Sequence, residues 1–318
     1  MENRCLFCYE PYDEPGDFHS RCSSLFFGTT VPPQLPYSNH QMAELAKDVV
    51  ERSVTVPGVQ PKLSLSLLNQ TRENADTRFT IVGALGGQFI LKPPTGLYPE
   101  MPANEHVTMR IAEAFGIRVV PSSLIRLASG ELSFITKRID RNEKSGEKIH
   151  MLDMYQITEA FDKYKSSMEK VGKALHQYSG NTLLDKLFFF ELAVFCFLTG
   201  NNDMHLKNFS MIETPSGWGL APSYDLLNVS IILPADTEEL ALTLGGRKKK
   251  LKHENFVQFG KDLNLTDKQI NSVFKRMIKN KPLALSWIDK SFLTSNMKEA
   301  YKELLERRYK QLGLAGIV

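Results

Sequence analysis

The sequence predicts an α+β chain of two lobes, the first rich in strands and the second mainly helical. Three observations lead there. The chain has 318 residues and 42% hydrophobic content, enough to bury two cores. Strand-like alternation lies before about residue 150, and helical periodicity dominates after it. The most apolar stretch, Leu183 to Thr199, stops at Gly200 and gives way to a crowded polar turn. The expected divisions are a cysteine-rich knuckle over 1–28, a linker and short helix over 29–49, a strand-rich lobe over 50–148 and a helical lobe over 149–318.

The knuckle carries three of the four cysteines, as Cys5-Leu-Phe-Cys8 followed by His19-Ser-Arg-Cys22. Cys5, Cys8, His19 and Cys22 form two closely spaced pairs, each of the kind that grips one metal, so a structural Zn²⁺ of the Cys₃His type is one reading. The other is a set of reduced thiols beside an apolar plug of Tyr9, Phe18, Phe26 and Phe27. Cys196, inside the apolar run, is a packing residue. Gly28 to Pro36, with three prolines, reads as an extended linker to a helix over Met42–Val50.

Pro57-Gly-Val-Gln-Pro-Lys62 is a stiff turn before the alternation Leu63, Leu65, Leu67. It follows neither common phosphate-loop pattern and is equally a plain entry to a hairpin. Ser53 and Thr55 place hydroxyls just before it. Gln88-Phe-Ile-Leu-Lys92 is a short apolar strand stopped by Pro93-Pro94. A lysine at such a strand end binds phosphates in protein kinases, and otherwise is simply solvated. A helix follows from Ala103 to Phe115, with Gly116 as its stop and Glu105 near its start, where a carboxylate can orient Lys92. Strands are expected over Arg118–Leu127 and Glu131–Ile139, joined at Ala-Ser-Gly130. Beyond them helices are expected over Leu152–Phe161, Ser166–Gln177, Leu183–Thr199, Phe256–Lys261, Asp267–Lys279 and Met297–Leu312.

The turn after Gly200 reads Asn-Asn-Asp203-Met-His205-Leu-Lys207-Asn208-Phe. On their own, these are residues of any turn after a buried helix. Yet Asp203 and Asn208 stand five positions apart, the interval between the catalytic aspartate and the metal-binding asparagine of protein kinases. A second carboxylate, Asp225, follows Pro222-Ser-Tyr224. Phosphoryl transfer asks for this set: a carboxylate to orient the accepting hydroxyl, and hard oxygen donors from Asn208 and Asp225 for Mg²⁺. His205 fits a role in positioning the loop.

Charge and hydropathy narrow the classes. The formal charge of +3, from 39 basic and 36 acidic residues, is too balanced to argue for nucleic acid or an anionic membrane. Arg247-Lys-Lys-Lys-Leu-Lys252 is either a solvated loop or a contact for an acidic target. No signal peptide opens the chain, and Asp185, Lys186 and Glu191 interrupt the apolar run, so a cytoplasmic, non-membrane protein is expected.

Taken together, Gly58-Val-Gln-Pro-Lys62, Phe89-Ile-Leu-Lys92, Asn104-Glu-His106, Lys137-Arg-Ile-Asp-Arg141, Gly200 to Phe209 and Tyr224-Asp225 resemble, in order and spacing, the HipA-type serine/threonine kinase toxins, over roughly residues 50 to 312. The short, HipT-like branch is the nearest in layout. That resemblance implies a protein-kinase-like fold, ATP with Mg²⁺, and autophosphorylation before the glycine loop. It implies Asp203 as catalytic base with Lys92 and His205 beside it, and Asn208 and Asp225 as metal ligands. Val59, Gln60 and Lys62 would lie over the phosphates, Lys137 and Ile139 at the adenine hinge, and Lys207 and Tyr224 in the nucleotide site. The modified hydroxyls would be Ser53 and Thr55, the latter standing where the short branch has serine. Pro57 departs further, since it removes a backbone donor. The implied partners are a protein substrate such as an aminoacyl-tRNA synthetase, a helix-turn-helix antitoxin of HipB type, a small HipS-like subunit, and DNA only through the antitoxin. A catalytically quiet binding protein and a small-molecule phosphotransferase remain the alternatives on residues alone.

Overall fold

The computed structural model describes residues 3–13, 15–52, 62–68, 77–82, 86–143 and 145–314. The chain divides into two compact units. One comprises Met1–His106, Val120–Glu147 and Lys290–Phe292; the other comprises Val107–Val119, Lys148–Asp289 and Leu293–Val318.

The first unit holds helices α1 (Ser20–Phe27) and α2 (Asn39–Arg52), strands β1 (Leu63–Leu68), β2 (Arg78–Val82) and β3 (Phe89–Lys92), the start of helix α3 (Met101–Ala114), and strands β4 (Ser122–Arg126) and β5 (Leu132–Lys137). The strands form one antiparallel sheet in the order β2-β1-β3-β5-β4. Its register follows the alternation: Leu63 pairs with Leu91 and Leu91 with Ile135, all fully or nearly fully buried. Phe26, Phe27, Phe79 and Phe89 meet edge to face, with Phe26–Phe27 centroids 4.8 Å apart and Phe79–Phe89 5.3 Å apart. These contacts seat α1 on the sheet, and burying each ring contributes about 1.5–3 kcal/mol. The strand expected from Arg118 begins only at Ser122. Val119 instead bridges to Ser223, whose amide donates to the Arg118 carbonyl at 2.8 Å.

In the second unit a three-stranded antiparallel sheet, ordered β6-β7-β8, is built from β6 (Met151–Asp153), β7 (Ser210–Thr214) and β8 (Gly217–Leu220). The helices are α4 (Met154–Ile157), α5 (Met168–Tyr178), α6 (Thr182–Thr199), α7 (Val229–Ile232), α8 (His253–Asp262), α9 (Asp267–Lys290) and α10 (Ser295–Gln311). The helix expected over Leu152–Phe161 is mostly absent. Leu152 pairs with Met211, Asp153 caps a single turn through the Gln156 amide, and the chain reverses at Glu159, whose φ is 49°. Conversely, α9 runs past the expected end at Lys279 and through Pro282. Its buried positions Met277, Ala284 and Ile288 continue one apolar face, so packing outweighs the bond the proline removes.

Helix α6 is apolar on nearly every side and buried from Phe189 to Thr199. Two of its buried acidic residues meet polar or charged partners. Asp185 accepts from the Leu220 amide at 2.8 Å and from Ser179 Oγ at 2.7 Å, while Glu191 pairs with Arg276 at 2.5 Å. No helix among the described residues is long and apolar enough to cross a membrane.

Candidate functional site

Helix α6 delivers the chain to the polar loop through Gly200, in the left-handed region at φ 71°. A Cβ there would lie 2.7 Å from Asn228 Oδ1 and 2.8 Å from a Leu304 methyl. Gly200→Ala therefore meets both a conformational and a steric penalty, about 2–4 kcal/mol together. The expected result is a lower urea midpoint with an unchanged m value.

Beyond Gly200 the loop is held by its own hydrogen bonds. Asn201, fully buried, accepts from the Asp203 amide at 3.4 Å and donates from Nδ2 to the Asp225 carbonyl at 3.3 Å, tying the two acidic segments together. Asn208 sits on a short 3-10 turn, Leu206–Asn208, and its Nδ2 donates to the Asp203 carbonyl at 2.9 Å. That leaves the amide oxygen of Asn208 as the group to offer a cation. Asp225 is half-buried with φ 55°, a conformation an aspartate adopts only when its surroundings hold it there. Asn208 and Asp225 thus present hard oxygen donors of the type Mg²⁺ takes.

His205 lies among these groups. Its Nδ1 is buried without a protein partner among the described residues. Burial pushes its pKa below the ordinary histidine value; Asp203 and Asp225 oppose that and Lys163 adds to it. A histidine that is neutral in the fold but protonates near pH 6.5 when unfolded binds fewer protons folded. Its contribution is complete above the unfolded value and is lost as pH falls through about 6.5 toward the folded one. The parent should therefore lose more stability than His205→Gln between about pH 7.5 and about pH 5.5. Equal losses in urea titrations of the two would refute this.

Tyr164 is the residue that sequence reasoning missed here. Its hydroxyl donates to Asp203 Oδ1 at 2.8 Å and its ring meets His205 edge-on at 5.0 Å. Burial, and then the Asp203 charge, push its phenol up. Tyr224 donates to the Lys207 carbonyl at 3.0 Å and contacts Ser210 Oγ at 2.5 Å, bracing β7 against the loop. Lys207 is exposed, its Nζ 4.8 Å from the Tyr155 ring centroid.

In the first unit, Lys92 ends β3 almost wholly buried, and its Nζ meets Glu105 Oε1 at 2.5 Å. The pairing expected between them is present. Phe134, opposite Lys92 across the sheet, places its ring centroid 5.3 Å from the ammonium. Lys137 donates its amide to the Pro121 carbonyl at 3.0 Å and pairs with Glu143 at 2.9 Å, while Ile139 lies half-buried in the turn after β5. Lys62 is exposed at the entry to β1. Ser53, Thr55, Val59 and Gln60 lie outside the described residues.

The cysteine knuckle is a compact cluster in the same unit. One ligand atom from each of Cys5, Cys8, His19 and Cys22 lies within 4.8 Å of all the others, and no disulfide joins the cysteines.

Comparison with known proteins places the chain. Residues 54–285 match the model of the HipA-like C-terminal domain. A putative kinase of Haemophilus influenzae is 26% identical over 316 residues, covering 90% of this chain and 88% of that protein. The serine/threonine-protein kinase toxin HipA of Shewanella oneidensis is 28% identical over 198 residues, 56% of this chain and 44% of that protein, so the match spans less than half of the toxin's length. In fold, the chain is similar to a solved chain from the Shewanella oneidensis complex of HipA, HipB and operator DNA, with a TM-score of 0.68 and 24% identity, covering 88% of this chain and 72% of that one. By the family model that spans both units, and by this α+β kinase-like fold, the chain belongs to the HipA-like C-terminal domain family.

Proposed function

We propose that this protein is an ATP-dependent serine/threonine protein kinase that phosphorylates itself at Ser53 or Thr55 and serves as the toxin of a toxin–antitoxin pair. The observation that carries the reading is the tied loop of Asp203, Asn208 and Asp225. Asn201 joins its two acidic segments, and the Asp203 carboxylate already accepts a hydroxyl, that of Tyr164, at 2.8 Å. Phosphoryl transfer leaves a protein mainly positioning and electrostatic work, which such a loop performs.

In this reading Asp203 orients the accepting hydroxyl and takes its proton. Asn208 and Asp225 would hold Mg²⁺, and Lys92, fixed by Glu105, would hold the phosphates of ATP together with Lys62, Val59 and Gln60. Bound Mg²⁺ supplies neutralisation of phosphate charge. Lys137 and Ile139 would bind the adenine through main-chain groups, Lys207 and Tyr224 would bind the nucleotide, and neutral His205 keeps the loop in shape without adding charge.

Similarity to HipA, solved with HipB and operator DNA, supports a HipB-type antitoxin and contact with DNA only through it; a protein target such as an aminoacyl-tRNA synthetase and a small HipS-like subunit belong to the same proposal. A cytoplasmic place follows from that reading. The test is to incubate the purified chain with Mg-ATP and map phosphate by intact mass and peptide analysis. Phosphate on Ser53 or Thr55 is expected. ATP consumption only when a small alcohol is added would replace this reading with a small-molecule phosphotransferase, and failure to bind Mg-ATP would replace it with a quiet binding protein.

A further inference from the structure

Outside the phosphoryl-transfer residues, the densest cluster of metal-competent side chains is the N-terminal knuckle. Two of its distances fit a tetrahedral site. His19 Nδ1 lies 3.4 Å from Cys8 Sγ and 3.7 Å from Cys22 Sγ. Around a zinc ion with Zn–S of about 2.3 Å and Zn–N of about 2.0–2.1 Å, tetrahedral angles place nitrogen and sulfur about 3.6 Å apart. The two observed distances bracket that value.

The surroundings also suit a cation. His19 Nε2 lies 3.2 Å from the Pro11 carbonyl, so the ring proton belongs there and Nδ1 turns its lone pair to the sulfurs. The Cys5 amide donates to the Glu10 carbonyl at 3.0 Å and the Tyr9 amide to the Cys5 carbonyl at 2.9 Å, closing a tight turn over the first Cys pair. A disulfide between Cys5 and Cys8 would use two of these groups and leave His19 Nδ1 with only the Cys22 thiol beside it.

The knuckle connects toward Lys92 through Tyr9 and His106. Its turn forces Tyr9 to φ 65° and buries the side chain completely. The Tyr9 hydroxyl meets His106 Nδ1 at 2.8 Å, with the rings edge to face at 5.2 Å. His106 follows Glu105 on α3, and Phe134 contacts both the His106 ring, at 6.3 Å, and Lys92.

We infer that Cys5, Cys8, His19 and Cys22 bind one Zn²⁺ and that the metal-held knuckle, through Tyr9 and His106, positions the Glu105–Lys92 pair. The metal site stands on its own geometry; the positioning role rests on Lys92 being the ATP-phosphate lysine. Tyr9 and His106 are positioning residues, not catalytic ones.

The first measurement is metal content of the full-length chain purified without chelator, followed by exchange with Co²⁺. One zinc per chain is expected, with the intense visible bands and thiolate charge transfer of tetrahedral Co²⁺ after exchange. A weak octahedral spectrum, an iron–sulfur chromophore or a Cys5–Cys8 disulfide in the native protein would overturn the site. Because Cys8→Ser can fail to fold, the parent spectrum decides this arm, and Cys196→Ser, which should keep the zinc, is the control.

The second measurement uses Tyr9→Phe, which leaves the four ligands intact. It should keep its zinc and raise KM for ATP on the order of tenfold, typical of coupled sites, with kcat nearly unchanged. Unchanged KM, or a loss confined to kcat, would overturn the positioning role while leaving the metal. Zinc present in a chain that never uses ATP would refute the kinase reading and, with it, the positioning role alone.

Discussion

Asp203→Ala is expected to slow autophosphorylation by roughly 10²–10⁴-fold while leaving ATP binding within about twofold, the signature of a lost general base. The separation of the two effects follows from how the loop is built. Three of its ties, from Asn208 Nδ2 to the Asp203 carbonyl, from the Asp203 amide to Asn201 and from Asn201 to the Asp225 carbonyl, involve no atom beyond Cβ of Asp203. Truncating that side chain therefore removes a carboxylate and little of the scaffold. The loss should appear in kcat, measured by the time course of phosphate incorporation at saturating Mg-ATP. Tyr164→Phe, which deletes the donor on Asp203 Oδ1 at 2.8 Å, should cost roughly tenfold, the scale of one hydrogen bond to a charged group. An Asp203→Ala protein that labels itself at the parent rate would remove Asp203 from the mechanism.

How far the sequence showed this site depends on the range of each contact. Gly200 and the loop after it were legible because a helix cap and a short polar turn are local events, decided by a few neighbouring residues. The Cys5/Cys8/His19/Cys22 cluster was legible for the same reason, since two short spacings set each half and one helix start brings the halves together. Lys92 and Glu105 lie 13 positions apart, with only a proline turn between strand and helix, so their meeting was also within reach. Tyr164 was not. It stands 39 positions before Asp203 in an exposed segment with no periodic pattern, and nothing in its neighbours directs it there. The contact between Tyr9 and His106 spans 97 positions and depends on a left-handed turn that no glycine announces. In the fold, the hairpin of β7 and β8 and the three-residue strand β6 were missed because such short strands carry too few alternations to separate from a helix. The misreading of Leu152–Phe161 as helix shows the same physics. A single capped turn supplied the helical signal, and pairing to β7 claimed the residues before it.

Breaking the Lys92–Glu105 pair should have the largest effect on stability. Both side chains are nearly inaccessible, at 4% and 1% exposure, so neither charge is supported by water when the other is removed. Glu105→Ala removes the carboxylate that the Lys92 ammonium meets, with a cost of about 3–5 kcal/mol for breaking a buried pair. Lys92→Met removes the ammonium that Glu105 Oε1 meets and should destabilise the fold on the same scale. Replacing both, Lys92→Met with Glu105→Met, removes the charges together and should recover most of the stability, because a buried ion pair exchanged for apolar side chains of similar volume is often neutral. ATP use should not recover, since the methionines have nothing to offer a phosphate. Urea midpoints and Mg-ATP titrations of the three proteins therefore separate structure from chemistry. A double variant that is stable and still binds Mg-ATP like the parent would show that Lys92 is only a structural partner of Glu105.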